Sequence, residues 1–556
     1  MKQKQKFKDY KKKRDLYEKR LSVILKISAA VFFLGITAFY PLYLVGEHYT
    51  NINVIKTFFF CLFTGIAAAG IAIIFIVLFF LTKRFHFKDY YTADEPNDKS
   101  NREIFVFEWA VIIFIVFTFA STVFSRWQTV AWDGFPGRNE GFRTILCYVL
   151  TFFIAARFYR AKRLHFLIFA GSAFLVSLYG ILQFTGHDIF GLFPFTYPSI
   201  CDADGNPVYG SLTAFYRTTL GNIDVVSSYC SLAVVLFAAL FTGIKSKWSG
   251  LYLAASIMTF ALLLISDTDA GKVGVLIAMV LLIPFWIFDR MRLGKIFVML
   301  SGWCAVYAGY NIYLSVLKKQ SETRSFAPMD YSFLQTFKFH NPVLFGIIAA
   351  ILLAAGLCLI LIIKKWPPTR SMKIAGIVSL IAVFAGSFLF VEIMGAKLAD
   401  QPYNIIWQAR EMLHGRFSDY FGSGRGWIWK RGTSVLFNNP VFGTGPDTFY
   451  YALGDALQNE SVQTTGVTVD KAHNIFIQTA VCMGIPAFLA YAVFLFNLFF
   501  SAVKKAFDRP ILFACAAGAL SYSIQSFFGV EVPIVTPLYW AVLGVIAGEI
   551  RLGKID

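Results

Sequence analysis

Apolar residues in this chain do not alternate with polar ones at strand spacing. They gather in long runs separated by short basic or polar connections. A bilayer core about 30 Å thick takes roughly 20 helical residues at about 1.5 Å rise each. On that measure the runs predict spans at 21–45, 54–82, 104–124, 143–157, 164–184, 222–244, 249–266, 271–288, 295–316, 342–363, 374–394, 474–500, 511–528 and 537–550. The expected fold is an all-α polytopic membrane protein with about 12–14 transmembrane helices. The same pattern divides the chain into a basic tail (1–20), helices over 21–394, a long polar interval (395–473) and C-terminal helices over 474–556. Shorter polar intervals fall at 125–142, 185–221 and 317–341.

Composition agrees with the pattern. Hydrophobic residues make up 57% of the chain and charged ones 15%, which places it outside the soluble globular class. The eight cysteines are scattered, nearly all within apolar runs and without a Cys-x-x-Cys pair. They read as small helix hydrophobes, with neither a disulfide framework nor a metal site implied. No P-loop or His-Glu-x-x-His pattern occurs, so ATP-driven transport and zinc proteolysis gain no support.

Charge sets the expected orientation. Ten of the first 20 residues are Lys or Arg, and they stand directly before the first apolar run. With the N-terminus cytoplasmic, 33 of the 51 Lys and Arg residues fall on the cytoplasmic side and 14 outside. The expectation is a multi-pass protein of the cytoplasmic (inner) membrane with both termini inside and the polar intervals outside. The net charge of +18 is then the ordinary positive-inside signal, with basic segments touching anionic membrane lipids and no nucleic-acid partner.

The interval Gly415 to Asn474 holds Arg416, Arg425, Lys430, Arg431, Lys471 and His473. Helical spacing of apolar residues predicts short helices at 408–414 and 426–437, the second stopped by Asn438-Asn439-Pro440. Pro446 is placed to open another through Leu457.

Several pieces of this interval and its surroundings carry a family likeness. They are Gly424-Arg425-Gly426-Trp427, then Asn439-Pro440-Val441-Phe442-Gly443-Thr444-Gly445, then Ala472-His473-Asn474. Tyr179-Gly180-Ile181-Leu182-Gln183-Phe184, Arg217-Thr218-Thr219-Leu220-Gly221-Asn222 and Gly137-Arg138-Asn139-Glu140-Gly141 add to them. In this order, over roughly 130–500, the chain resembles the O-antigen ligase and polymerase family of integral membrane glycosyltransferases.

The resemblance implies a helical glycosyltransferase of the GT-C-like type that uses neither metal nor cofactor. The implied reaction transfers a glycan from a polyprenyl-diphosphate-linked donor to a glycan or lipid acceptor on the outer face. Such a donor already carries a good leaving group, so the enzyme must hold the diphosphate, stabilise its developing charge and manage the acceptor proton. Arg217 and Arg425, at family-matching positions, are expected to bind the diphosphate bidentately. His473 is expected to be catalytic as the proton acceptor, on the condition that Asp470 caps the next helix and holds the imidazole neutral. Arg138 and Glu140 are expected to pair with each other or to contact sugar, and Asn474 to contact sugar or acceptor. The competing function is a lipid-linked oligosaccharide flippase or other polysaccharide transporter, which calls for buried charge and broken helices inside the bundle.

Overall fold

The computed structural model describes residues 20–44, 51–82, 104–185, 187–192, 216–266, 268–287, 289–324, 341–362, 370–399, 404–465 and 468–552, with Leu16 and Tyr49. Within lipid, each backbone N–H and C=O must be satisfied inside its own segment, so apolar runs become helices. In chain order the helices are α1 (Arg20–Leu42), α2 (Ile52–Thr82), α3 (Val106–Phe124), α4 (Gln128–Asp133), α5 (Phe142–Arg157) and α6 (Arg163–Phe184). A minimal antiparallel pair, β1 (Tyr216–Arg217) with β2 (Gly221–Asn222), precedes α7 (Ile223–Gly243). Then come α8 (Ser249–Ile265), α9 (Asp269–Leu281), α10 (Ile283–Ile287), α11 (Arg290–Arg324), α12 (Pro342–Leu357) and α13 (Arg370–Lys397). The last group is α14 (Ile405–Leu413), α15 (Phe421–Leu436), α16 (Phe449–Thr465), α17 (Ile475–Met483), α18 (Ile485–Val503), α19 (Pro510–Ser526) and α20 (Thr536–Arg551).

The chain is a polytopic membrane protein. Among the described residues nine helices are long and apolar enough to cross a membrane, and shorter ones complete the bundle. α7 is buried along nearly its whole length, packed by α19, α8 and α9. α13 by contrast exposes Ile374, Ile381, Phe388 and Leu389, as a lipid-facing helix does.

Opposite ends of the bundle are chemically distinct. At one end the Glu108 carboxylate is fully buried, with Arg157 at 2.5 Å and Arg551 also donating to it. α3 begins there, while α5 and α20 finish there. Lys505 and Arg509 add hydrogen bonds to the final carbonyls of α20, at Ile550 and Glu549. At the other end, α1 closes with Tyr40 donating to the Pro533 carbonyl (2.5 Å) and α3 closes with Ser125 donating to the Thr444 carbonyl (2.6 Å). The 134–141 loop, the 440–447 turn and α16 gather at this second end.

Three expectations change. The run 474–500 is two helices, α17 and α18, broken at Gly484 (φ 87°). The helix assigned to 295–316 extends through Arg324. In the long interval, the predicted 426–437 helix follows a left-handed turn at Gly422–Gly424, whereas Pro446 does not open a helix but sits in a turn ahead of α16, which continues to Thr465 with a kink at Gly454.

Removing one member of a buried charge set leaves the others uncompensated. Glu108→Ala is therefore expected to cost about 3–5 kcal/mol by stranding Arg157 and Arg551. Thermal unfolding of the detergent-purified protein reads this as a clear fall in midpoint, and an unchanged midpoint would refute the triad.

Candidate functional site

The site begins with the helix break. Gly484 opens the i→i−4 ladder, and the turn 440–445 fills the gap backbone to backbone. Thr444 N–H donates to Val481 (3.2 Å), Gly445 N–H to Cys482 (2.7 Å), and Ile485 N–H returns to Pro440 (2.8 Å). The approach is too close for side chains. A Cβ on Gly443 would lie 2.5 Å from the Cys482 carbonyl, and one on Gly484 would lie 2.1 Å from the Val441 carbonyl. That is the physical reason for glycine in Gly443-Thr444-Gly445. The turn delivers Asp447, whose Oδ2 accepts from the N–H groups of Phe135 (2.7 Å) and Glu140 (3.0 Å) and so clamps the 134–141 loop.

Lys471 locks these pieces together. Its buried ammonium meets Glu140, Asp447 Oδ1 (3.2 Å) and the Glu531 carbonyl (3.1 Å). Burial alone would lower its pKa, yet Asp447 and Glu140 hold it above the ordinary lysine value. Burial pushes the Glu140 carboxyl up, against the pull of Lys471. Tyr148 donates to Glu140 (3.0 Å). Beneath this cluster Glu140, Tyr148, Glu531, Gln478, Tyr491 and Trp540 help line a cavity of about 30 Å³, the room of roughly one water.

Alongside, Arg138 and Asp470 form a forked ion pair (2.6 and 3.3 Å). Arg138 and Glu140, expected to pair with each other, thus face two different partners. Glu140 is spent as a structural brace. Asp470 does not cap α17. That role belongs to Asn474, whose Oδ1 accepts from Phe476 (2.9 Å) and Ile477 (3.1 Å), so Asn474 is buried and committed to the backbone. His473 therefore precedes the helix, in left-handed backbone (φ 50°). Its neighbour Ala472 is fixed on both sides, by Gln478 Oε1 (2.8 Å) at the N–H and by Trp429 Nε1 (3.0 Å) at the carbonyl.

Arg425 is positioned by an unusual turn. Gly422, Ser423 and Gly424 all have positive φ (58°, 60° and 92°), which tips the helix after them inward. A Cβ on Gly426 would lie 2.0 Å from the Ser418 carbonyl, so only glycine fits. Trp427 is buried and donates to Glu460 (2.9 Å), which also pairs with Arg431 (2.5 Å). One Arg425 nitrogen donates to Gly422 (2.6 Å), while its buried Nε has no hydrogen-bond partner among the described residues. Burial lowers its pKa, and the charges of Asp224 and Asp269 oppose that.

His473 lies in the field of the same groups. Burial and the Arg425 charge lower its pKa to about 3, with Arg138 and Lys471 adding to the effect and Asp470 opposing it. Arg425 and His473 thus lie within electrostatic reach of each other. For Arg217 only the backbone is described. It pairs with Gly221 in the β1–β2 ribbon, and Gln183 Oε1 accepts from the next N–H, that of Thr218 (2.6 Å). The Arg217 side chain lies outside the described residues.

Two participants escape the sequence pattern. Asp224, in the first turn of α7, faces both Arg425 and Arg138. An acid there reads equally as a helix-dipole partner. Lys471 reads as one more loop cation, because its burial depends on Glu140 and Asp447 from distant segments.

With this geometry in view, the O-antigen ligase family model matches residues 345–492. No curated protein matches the chain. The matched segment holds Arg425, Asp447, Asp470, Lys471, His473 and Asn474, whereas Arg138, Glu140, Arg217 and Asp224 lie before it. The match supports an O-antigen ligase-like enzyme of polysaccharide assembly, of the ligase or polymerase kind.

The depressed His473 pKa has a signed consequence. Between its ordinary value near 6.5 and about 3, the unfolded chain binds a proton at His473 that the native protein refuses. Stability therefore falls as pH drops through that window. His473→Gln removes this term, so the variant's unfolding midpoint should gain on wild type as pH falls from about 6.5 to 4. Parallel pH dependences for the two proteins would contradict the neutral, half-buried imidazole.

Proposed function

We propose, from the O-antigen ligase-like segment that carries this pocket, that the protein transfers a glycan from a polyprenyl-diphosphate-linked donor to a glycan or lipid acceptor. The observation that carries the reading is Arg425. Its guanidinium is half-buried with an unpartnered Nε beside a neutral imidazole, which is what a diphosphate requires of a site poor in water. Arg425, with Arg217 from the β1–β2 ribbon, holds the diphosphate. Neither arginine can lose its charge at working pH, so the pocket stays cationic.

The role of His473 is revised from the one its position suggests. Three cations act on the ring against one anion, which leaves the imidazole neutral but a poor proton acceptor. A neutral imidazole donates a hydrogen bond well, and the leaving diphosphate oxygens are where negative charge develops. His473 accordingly serves the leaving group.

The transporter reading loses its support. The helix break at Gly484, which could have lined a path, is sealed by the 440–445 turn through three backbone hydrogen bonds. Buried Glu108 is held by arginines at the far end of the bundle.

The distribution of basic residues supports a pocket on the outer face of the inner membrane. Ala456, exposed on α16, offers a test of orientation. Ala456→Cys should react with a membrane-impermeant thiol reagent in intact cells, and reaction only after permeabilisation would invert the topology. The chemistry is tested by transfer from a purified lipid-linked donor in nanodiscs. Arg425→Lys keeps the charge but loses the fork, with an expected loss of about 10²–10³ in turnover. His473→Ala should cost a similar factor, and His473→Gln, which keeps an N–H, should cost less. Equal rates for Arg425→Lys and wild type would remove the diphosphate assignment.

A further inference from the structure

The ion cluster around Lys471 holds one carboxyl more than its donors serve. An ammonium has three hydrogens, and three oxygens already surround Lys471 Nζ: Glu140 Oε2, Asp447 Oδ1 (3.2 Å) and the main-chain carbonyl of Glu531 (3.1 Å). Nothing is left for the Glu531 side chain. Glu140 also accepts from Tyr148 (3.0 Å), and Asp447 from two backbone N–H groups. Glu531 is only 7% exposed, and its Oε1 has no hydrogen-bond partner among the described residues. That side chain lines the cavity of about 30 Å³ beneath the cluster, together with Glu140 and Asp447.

We infer that the cavity is an internal proton site, in which Glu531 stands as a neutral carboxylic acid whose O–H donates to one enclosed water. Charge requires the proton. Three carboxylates against one ammonium would withdraw two net negative charges from bulk water, and a buried carboxylate without a partner takes up a proton instead. The proton falls to Glu531 because donors surround the other two carboxylates and none reaches its Oε1. The cavity has the room of about one water, and Glu140, Gln478 and Thr479 on its wall supply further polar partners. The other ionisable groups facing Glu531 among the described residues are phenols, Tyr148 and Tyr491 on the cavity wall with Tyr522 and Tyr539 behind it. An ordinary phenol is neutral below about pH 10. Burial and the Glu140 charge both raise the Glu531 pKa, against the pull of Lys471.

The site ties stability to pH with a definite sign. The native protein keeps a proton that the unfolded chain releases above the ordinary glutamate value of 4.5. The stability this contributes is full below that value and is lost as pH rises through the raised one. Once ionised, Glu531 is an anion without a donor on the residue whose carbonyl holds Lys471. The brace two residues before His473 therefore weakens on the alkaline side.

The experiment uses the full-length protein in detergent, with unfolding midpoints measured from about pH 5 to about pH 9. Glu531→Gln copies the neutral acid, so its midpoint should match wild type at the acid end and gain a few degrees on it towards the alkaline end. Glu140→Gln removes a counter-charge from Lys471 and should lower the midpoint throughout. Difference infrared spectroscopy reads the proton directly. Wild type at neutral pH should show the C=O stretch of a protonated carboxyl that Glu531→Gln lacks. Parallel midpoint curves for Glu531→Gln and wild type, or a neutral-pH spectrum without that band, overturn the inference. If Glu531→Gln does not fold, wild type alone decides, the band supporting the site and its absence removing it. Neither readout uses a glycan donor, so a failure of the transfer reading leaves this site standing, and the reverse holds.

Discussion

The buried ammonium of Lys471 is the interaction on which the polar end of the bundle depends. A lysine almost fully withdrawn from water is costly unless anions and carbonyls surround it. Here Glu140, Asp447 and the Glu531 carbonyl do so. Those three partners come from the loop before α5, the turn before α16 and the loop before α20. One charge therefore joins segments separated by hundreds of residues. Because Lys471 lies two positions before His473, fixing the ammonium also fixes the imidazole.

The second constraint is the broken helix. An apolar helix that stops in mid-course strands carbonyls and an N–H, and lipid offers no replacement partners. The 440–445 turn supplies them, and it can enter only because Gly443 and Gly484 lack side chains. The same turn carries Asp447 towards Lys471, so repair of the break and assembly of the ion cluster are one structural event. A substitution in this turn would therefore be felt at His473 without touching it.

Much of this was legible in the sequence, and the remainder has specific reasons. Most apolar runs placed their helices within a few residues, because bilayer thickness sets their length directly. Arg425 and His473 stand out as candidates in the sequence because glycines and a helix start flank them in a recognisable order. The break at Gly484 was missed, although Gly484 followed by Pro486 carries both a stop and a start signal. A long apolar run simply outweighs a local signal when spans are being counted. The capping of α17 was assigned to Asp470 although Asn474 is an equally good cap, and only the Arg138 partner decides between them. Lys471 and Asp224 could not be distinguished from other loop cations and first-turn acids. Their roles exist only in the tertiary arrangement.

Charge accounting gives the pocket its chemical direction. Arg138 is matched by Asp470, and Lys471 is more than matched by Glu140 and Asp447. Arg425 faces Asp224 and Asp269 at a distance and donates only to a backbone carbonyl. Burial of a guanidinium with a bare donor edge is unfavourable in the resting protein. On the proposed reading, an incoming diphosphate would relieve it by filling that edge. In that proposal the cost of placing Arg425 there would be recovered when the anion arrives, and the gain would increase further as the leaving oxygen takes on charge. That is the relation between ground state and transition state that lets binding accelerate a reaction. The neutral ring of His473 fits the same logic, since a second full cation at that point would grip the departed diphosphate and slow its release.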